Sequence, residues 1–184
     1  MNMMHLHSKE GPSGKVAYIA LMTALAAVAG YLEMLFPIDF FGIPGVKLGL
    51  ANTVSLIAMY MFGTGFAFLI MIARVILTGF MFGNMYAIIY ALTGGVFSLT
   101  VMHLLKRTGA FKMTGVSAGG GAAHNLGQLA IAFITLGGLN LVYYIPLLLI
   151  SGTVFGCLMG ILSEMIYERI DKGENNDRIF EGEA

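Results

Sequence analysis

Hydrophobic positions in this chain come in long unbroken runs, not in the alternation of a half-buried strand or the narrow stripe of a soluble helix. The runs cover residues 16–36, 48–62, 66–82, 85–105, 115–136 and 142–167. A helix needs about 20 residues to cross a hydrocarbon core about 30 Å thick, with about 17 as a lower bound. Five runs meet that length, and the pattern predicts an all-α membrane protein, a compact bundle of about six transmembrane helices. The run at 48–62 is short. It either borrows residues from the preceding Gly42-Ile43-Pro44-Gly45, or tilts or re-enters, so five spans is the alternative count.

Helix breakers punctuate the runs where connections are needed: Pro37 and Pro44 after the first, Gly63 and Gly65 after the second, Gly137-Gly138-Leu139-Asn140 after the fifth. The first run is about twice as long as the apolar core of a leader peptide. Although Ala27-Val28-Ala29 has a small-residue spacing, the run reads as a retained helix. Three segments follow: a cytoplasmic N-terminal segment (1–15), a transmembrane domain (16–170) and a polar cytoplasmic tail (171–184).

Charge supports this division and orients it. Only 11% of the 184 residues are charged and 58% are hydrophobic, against about 25% charged in a soluble domain. Lys9, Lys15, Lys106, Arg107, Lys112, Arg169, Lys172 and Arg178 all fall on one side if six helices alternate. The positive-inside rule makes that side cytoplasmic, with both termini there. Lys47 is then the one basic residue near the outer face, and Arg74 lies within a span. Net charge is zero, so nucleic acid is not an expected partner; membrane lipid is. The single Cys157 excludes an internal disulfide.

Glycines and alanines add a packing pattern. Gly152, Gly156 and Gly160 recur every four residues, as do Gly79 and Gly83, and such rows let helices approach closely. Ala17, Ala20, Ala24 and Ala27 form a row on the first span that either packs inside the bundle or offers a flat face to a partner.

Polar residues inside the spans carry the functional signal. Arg74 lies about 12 Å from either end of its run at about 1.5 Å per residue, too deep to reach the interface easily. A lone charge there costs roughly 2.5 to 3.5 kcal/mol, so Arg74 is expected to face the interior. There it either binds an anionic group or pairs with a carboxylate, Glu33 or Glu164. His124 and Gln128 share a helix face four residues apart, with Asn125 adjacent and glycines at 119–121 and 127. They form either a helix-linking network or a ligand site. Lys47, at the mouth of the second run, and Asn52 are candidates for an outward-facing site, with Lys47 alone equally readable as an interfacial anchor. No metal site is expected, because His124 has no second histidine or thiolate at ligand spacing.

Enzyme signatures are missing. Asp39, Asp171 and Asp177 are the only aspartates, too few for paired aspartate-rich magnesium sites that act on prenyl diphosphates. Gly11-Pro12-Ser13-Gly14-Lys15 fails as a phosphate loop: Lys9 stands where the first glycine belongs, and Val16 replaces the Ser or Thr.

The segment Phe41-Gly42-Ile43-Pro44-Gly45-Val46-Lys47-Leu48-Gly49-Leu50-Ala51-Asn52, then Arg74, then Ala123-His124-Asn125-Leu126-Gly127-Gln128-Leu129 resembles the Gx transporter family, also called heptaprenyl diphosphate synthase component I. The likeness spans about residues 16–170. That family is similar to the substrate-binding S components of energy-coupling factor transporters. The resemblance implies a bundle that captures a small molecule from outside a prokaryotic cytoplasmic membrane. It also implies a transmembrane coupling subunit and two cytoplasmic ATPases as partners. ATP would then be used by those ATPases and no cofactor held in this chain. Ala20 and Ala24 match the Ala-x-x-x-Ala face by which S components meet the coupling subunit. A flavin, vitamin, or quinone- or isoprenoid-related ligand is in range. The expected substrate-binding residues are Lys47, Asn52, Arg74, His124, Asn125 and Gln128, with no catalytic residue. The alternative is a non-catalytic accessory or assembly subunit of a membrane redox or prenyl-lipid synthesis complex, in which the same residues only tie helices together.

Overall fold

The computed structural model describes residues 12–35, 48–137 and 139–182. Among these, six α-helices follow one another: α1 (Pro12–Leu35), α2 (Leu50–Met61), α3 (Thr64–Phe82), α4 (Met85–Thr108), α5 (Met113–Leu136) and α6 (Ile145–Gly182). A 3-10 helix, Leu139–Tyr144, leads into α6, and the described residues hold no strand. α6 continues in helical form through most of the segment expected as a polar tail.

Four stretches are long and apolar enough to cross a bilayer: Val16–Leu35 in α1, all of α3, all of α4, and Leu141–Lys172. α5 has the length, at 24 residues, but its glycines and polar cluster dilute its apolar character. α2 has only 12 residues, about 18 Å of helix at about 1.5 Å per residue. It is nonetheless the most enclosed element. Eight of its residues are buried, Leu56, Ala58 and Met59 completely, by packing against α1, α3, α4 and α6. The core continues through Met71 and Val75 of α3, Leu99 and Met102 of α4, and Val116 of α5.

The outward surface is the inverse of a soluble protein's. Phe80 and Ile134 are 74% and 79% exposed, and large apolar side chains such as Leu21, Val28 and Leu158 are uncovered along the helices. A contiguous apolar exterior of this kind is stable against lipid, not water.

Contacts between helices sort the molecule into two ends. At one end Thr64 bonds His103 at 2.8 Å, Lys106 reaches Met59 O at 2.8 Å, and Thr114 donates to Glu164 at 2.7 Å. At the other, Glu33 meets the start of α2, Tyr31 packs on Phe82 with ring centroids 4.4 Å apart, and Tyr86 bonds Thr135 at 3.3 Å. Successive helices therefore alternate in direction. Lys106, Arg107, Lys112, Arg169 and Lys172 belong to the first end; Glu33 and Asn52 belong to the second.

The glycine row of α6 serves to seat α5. A Cβ on Gly121 would lie 2.1 Å from Gly152 O, one on Gly156 would lie 2.7 Å from Ser117 O, and one on Gly160 would lie 2.7 Å from Thr114 Cα. Backbone meets backbone here, so no side chain can give way. Gly121→Ala is expected to lower stability by about 1–3 kcal/mol or more. Gly65→Ala, at an exposed helical position with nothing within 4 Å of the added methyl, should be neutral or stabilise by up to about 1 kcal/mol. Thermal unfolding of the detergent-purified variants checks the contrast.

Candidate functional site

The short α2 creates the site by where its first turn stops. Its backbone amides at Gly49 and Leu50 have no helical partner. Glu33, from the last turn of α1, supplies one: its Oε1 accepts from Leu50 N at 2.6 Å and also from Gly49 N. A carboxylate is favoured there by the partial positive charge of a helix N-terminus. Gly49 takes φ +86°, a left-handed conformation that glycine adopts without Cβ strain. Its carbonyl accepts from Asn52 N at 2.9 Å and Thr53 N at 3.1 Å, which starts the helix.

Beside that turn lies a cavity of about 150 Å³. α1 contributes Gly30 and Glu33, α2 Asn52, α3 Arg74 and Thr78, α5 His124, Asn125 and Gln128, and α6 Phe155 and Met159. The cavity sits toward the Glu33 end of the bundle and reaches to mid-depth along α5 and α6. Of the residues expected from sequence to bind a substrate, Asn52, Arg74, His124, Asn125 and Gln128 are brought to this one space. Lys47 lies outside the described residues.

Asn52 connects the polar groups. Its Oδ1 lies 3.5 Å from Arg74 Nη2, and its Nδ2 lies 3.5 Å from His124 Nδ1. A guanidinium only donates, so the atom facing Arg74 is the amide oxygen. The amide nitrogen then faces His124 Nδ1. Both distances are at the long end for a hydrogen bond.

Arg74 and Gln128 are the most confined of these side chains, 8% and 3% exposed. Arg74 Nε and Gln128 Nε2 have no hydrogen-bond partner among the described residues. Glu33 acts on Arg74 through its field from the same cavity wall, while its Oε1 is engaged by α2. Glu164, the other expected charge partner, is bonded to Thr114 at the opposite end of the bundle. Asn125 donates to Leu148 O at 2.8 Å and lies 3.5 Å from Ser151 Oγ, which makes it a tie between α5 and α6 as well as a lining residue. Ala20 and Ala24 lie on an exposed face of α1, away from the cavity.

Some contributors are visible only in three dimensions. A Cβ on Gly94 would come 2.8 Å from Gln128 Cγ and 2.9 Å from His124 Cε1, so the absence of a side chain on α4 makes room for the α5 pair. Gly30 similarly faces Arg74, its would-be Cβ 3.7 Å from Nη1. The Gly94-Gly95 pair inside the fourth apolar run was the available signal. Among the described residues no cluster of three His, Cys, Asp or Glu side chains is placed to hold a metal. What the geometry offers is a small, partly open space walled by side-chain amides, an imidazole, one guanidinium and one carboxylate.

Glu33→Ala leaves two amides at the head of a buried helix without their acceptor and is expected to cost about 1–3 kcal/mol. Glu33→Gln keeps an acceptor oxygen and should lose less. Thermal unfolding of the ligand-free proteins measures both.

The model of the family described as heptaprenyl diphosphate synthase component I matches residues 22–166. No curated protein and no solved structure matches the chain. The matched stretch runs from the middle of α1 to the middle of α6 and so contains the whole described cavity wall. The chain belongs to the heptaprenyl diphosphate synthase component I family.

Proposed function

We propose that this chain is the membrane substrate-binding subunit of an energy-coupling-factor-like transporter for a small molecule. The observation that carries this reading is the grouping of Asn52, Arg74, His124, Asn125 and Gln128, from three different helices, about one cavity inside a bundle whose exterior is apolar. A few convergent polar groups in an otherwise apolar interior are what fixes a small ligand's orientation. Orientation fits the same reading. With the Lys106, Arg107 and Lys112 end in the cytoplasm, both termini are cytoplasmic and the cavity lies toward the outside. The exposed Ala20 and Ala24 face then suits the coupling subunit, and two cytoplasmic ATPases supply the energy. This chain's part is to bind and reorient.

A second reading is favoured by the family description, which names a component of a synthase. In it the chain is a non-catalytic accessory or assembly subunit of a prenyl-lipid synthesis or redox complex, and the cavity residues hold helices together. Affinity purification of the full chain from native membranes in mild detergent, followed by mass spectrometry of proteins and small molecules, separates the two. The transporter reading expects a membrane partner, two ATPases and a retained small molecule. Arg74→Ala and Gln128→Ala should each reduce the retained molecule by roughly tenfold or more while the partners still co-purify. Recovery of a prenyl synthase subunit without ATPases or retained molecule would establish the second reading instead.

A further inference from the structure

We propose that the turn between α4 and α5 holds the headgroup of an anionic phospholipid, whose chains lie along the exposed apolar face of α4. The turn is short and basic. Gly109 closes α4 in a left-handed conformation, φ +68°, and Lys112 stands immediately before α5. Its three cations do not share one environment. Lys106 turns inward, its Nζ donating to Met59 O at 2.8 Å and lying 4.2 Å from the centroid of the Tyr60 ring. Arg107 and Lys112 are exposed and enter no ion pair among the described residues.

Carboxylates that could neutralise this pair are scarce. No Asp or Glu occurs between Asp39 and Glu164, so α2, α3, α4 and α5 carry none. Glu164 is engaged by Thr114 at 2.7 Å. Arg169 and Lys172, at the same end of the bundle, are placed differently: they share α6 with Glu168 and Asp171. Glu168 and Lys172 are four residues apart, the spacing at which opposite charges on one helix offset each other. Among the described residues, Arg107 and Lys112 are therefore the cations to which an outside anion is best matched.

Apolar surface adjoins them, and it decides for lipid over an acidic protein segment. Phe111, next to Lys112, is 51% exposed, and Leu104, one turn before Thr108, is 56% exposed. The Phe111 ring lies on the first turn of α5, where a Cβ on Gly115 would come 3.2 Å from its Cδ1. Below Leu104 the exposed face continues through Phe97 on a helix long enough to cross the bilayer. Cations directly above an apolar face match the order of groups in a phospholipid, phosphate above acyl chain. A guanidinium meets phosphate oxygens in a charge-assisted, two-pronged geometry. Net negative charge on the headgroup adds to this, because a zwitterionic lipid brings its own cation to compete for the phosphate.

Native mass spectrometry of the detergent-purified full chain, titrated with phosphatidylglycerol, phosphatidylcholine or glycerol phosphate, tests the proposal. At low salt phosphatidylglycerol should bind about thirtyfold more tightly than phosphatidylcholine, the factor set by two cations near a charged headgroup. Glycerol phosphate, which lacks chains, should bind far more weakly than either lipid. Replacing both Arg107→Gln and Lys112→Gln should abolish the preference, whereas Arg169→Gln with Lys172→Gln should keep it. The proposal is overturned if the two lipids bind equally, if the Arg107 and Lys112 double variant retains the preference, or if the Arg169 and Lys172 double variant loses it as fully. Glycerol phosphate binding as tightly as phosphatidylglycerol would also overturn it, making this a site for free phosphate. The wild-type lipid comparison decides the matter even if a variant does not fold.

Discussion

A helix of 12 residues enclosed by longer ones has to end inside the bundle, and both of its ends carry backbone groups that lipid cannot satisfy. Two side chains from other helices meet that requirement. Glu33 of α1 takes the amides of Gly49 and Leu50, and Lys106 of α4 donates to the Met59 carbonyl at 2.8 Å. The signs are those a helix dipole favours, carboxylate at the N-terminus and ammonium at the C-terminus. Lys106 also lies 4.2 Å from the centroid of the Tyr60 ring, within cation–π range. Charges that would be costly as isolated groups thus become the means of fixing a buried helix in depth.

The cavity follows from this clamp. Glu33 is both the cap of the first turn of α2 and part of the cavity wall. Asn52 is carried into the same space one turn further on, where it links α3 through Arg74 to α5 through His124. Three helices therefore register their polar residues through one side chain on the most enclosed element. The opposite wall is held by glycines, with Gly121 and Gly152 bringing α5 and α6 into backbone contact and Gly94 admitting His124 and Gln128.

How much of this was legible in the chain depends on whether a residue's role is local. A run of about 20 apolar residues specifies a spanning helix by itself, so α1, α3, α4 and α6 could be read directly, and Arg74, His124 and Gln128 stood out as polar groups in such runs. α2 could not be ranked this way, because its burial is conferred by neighbours and its length made it look like a weak span. Glu33 was legible as a carboxylate near Arg74, but its engagement by amides 16 and 17 residues away depends on the α1–α2 crossing. Glu164 looked equivalent in sequence, yet helix alternation puts it at the other end with Thr114. Gly94 and Gly30 contribute by lacking a side chain, and a missing group has meaning only once its neighbour is known.

The distribution of satisfied and unsatisfied groups bears on what such an interior is for. Polar groups that only link helices are expected to consume their own hydrogen-bonding capacity, since each buried donor left over costs about 1–3 kcal/mol. Asn125 behaves like a helix tie, donating to Leu148 O, and Thr114 with Glu164 does the same elsewhere. Arg74 and Gln128 differ: Arg74 Nε and Gln128 Nε2 are buried without a partner among the described residues, as are Thr23 Oγ1 and Ser98 Oγ elsewhere, and both side chains belong to the cavity wall. Glu33 could have neutralised Arg74 directly, but its Oε1 is committed to α2. The clamp on the short helix thus leaves the guanidinium incompletely paired, so one constraint accounts for both the seating of α2 and the polar character of the cavity wall.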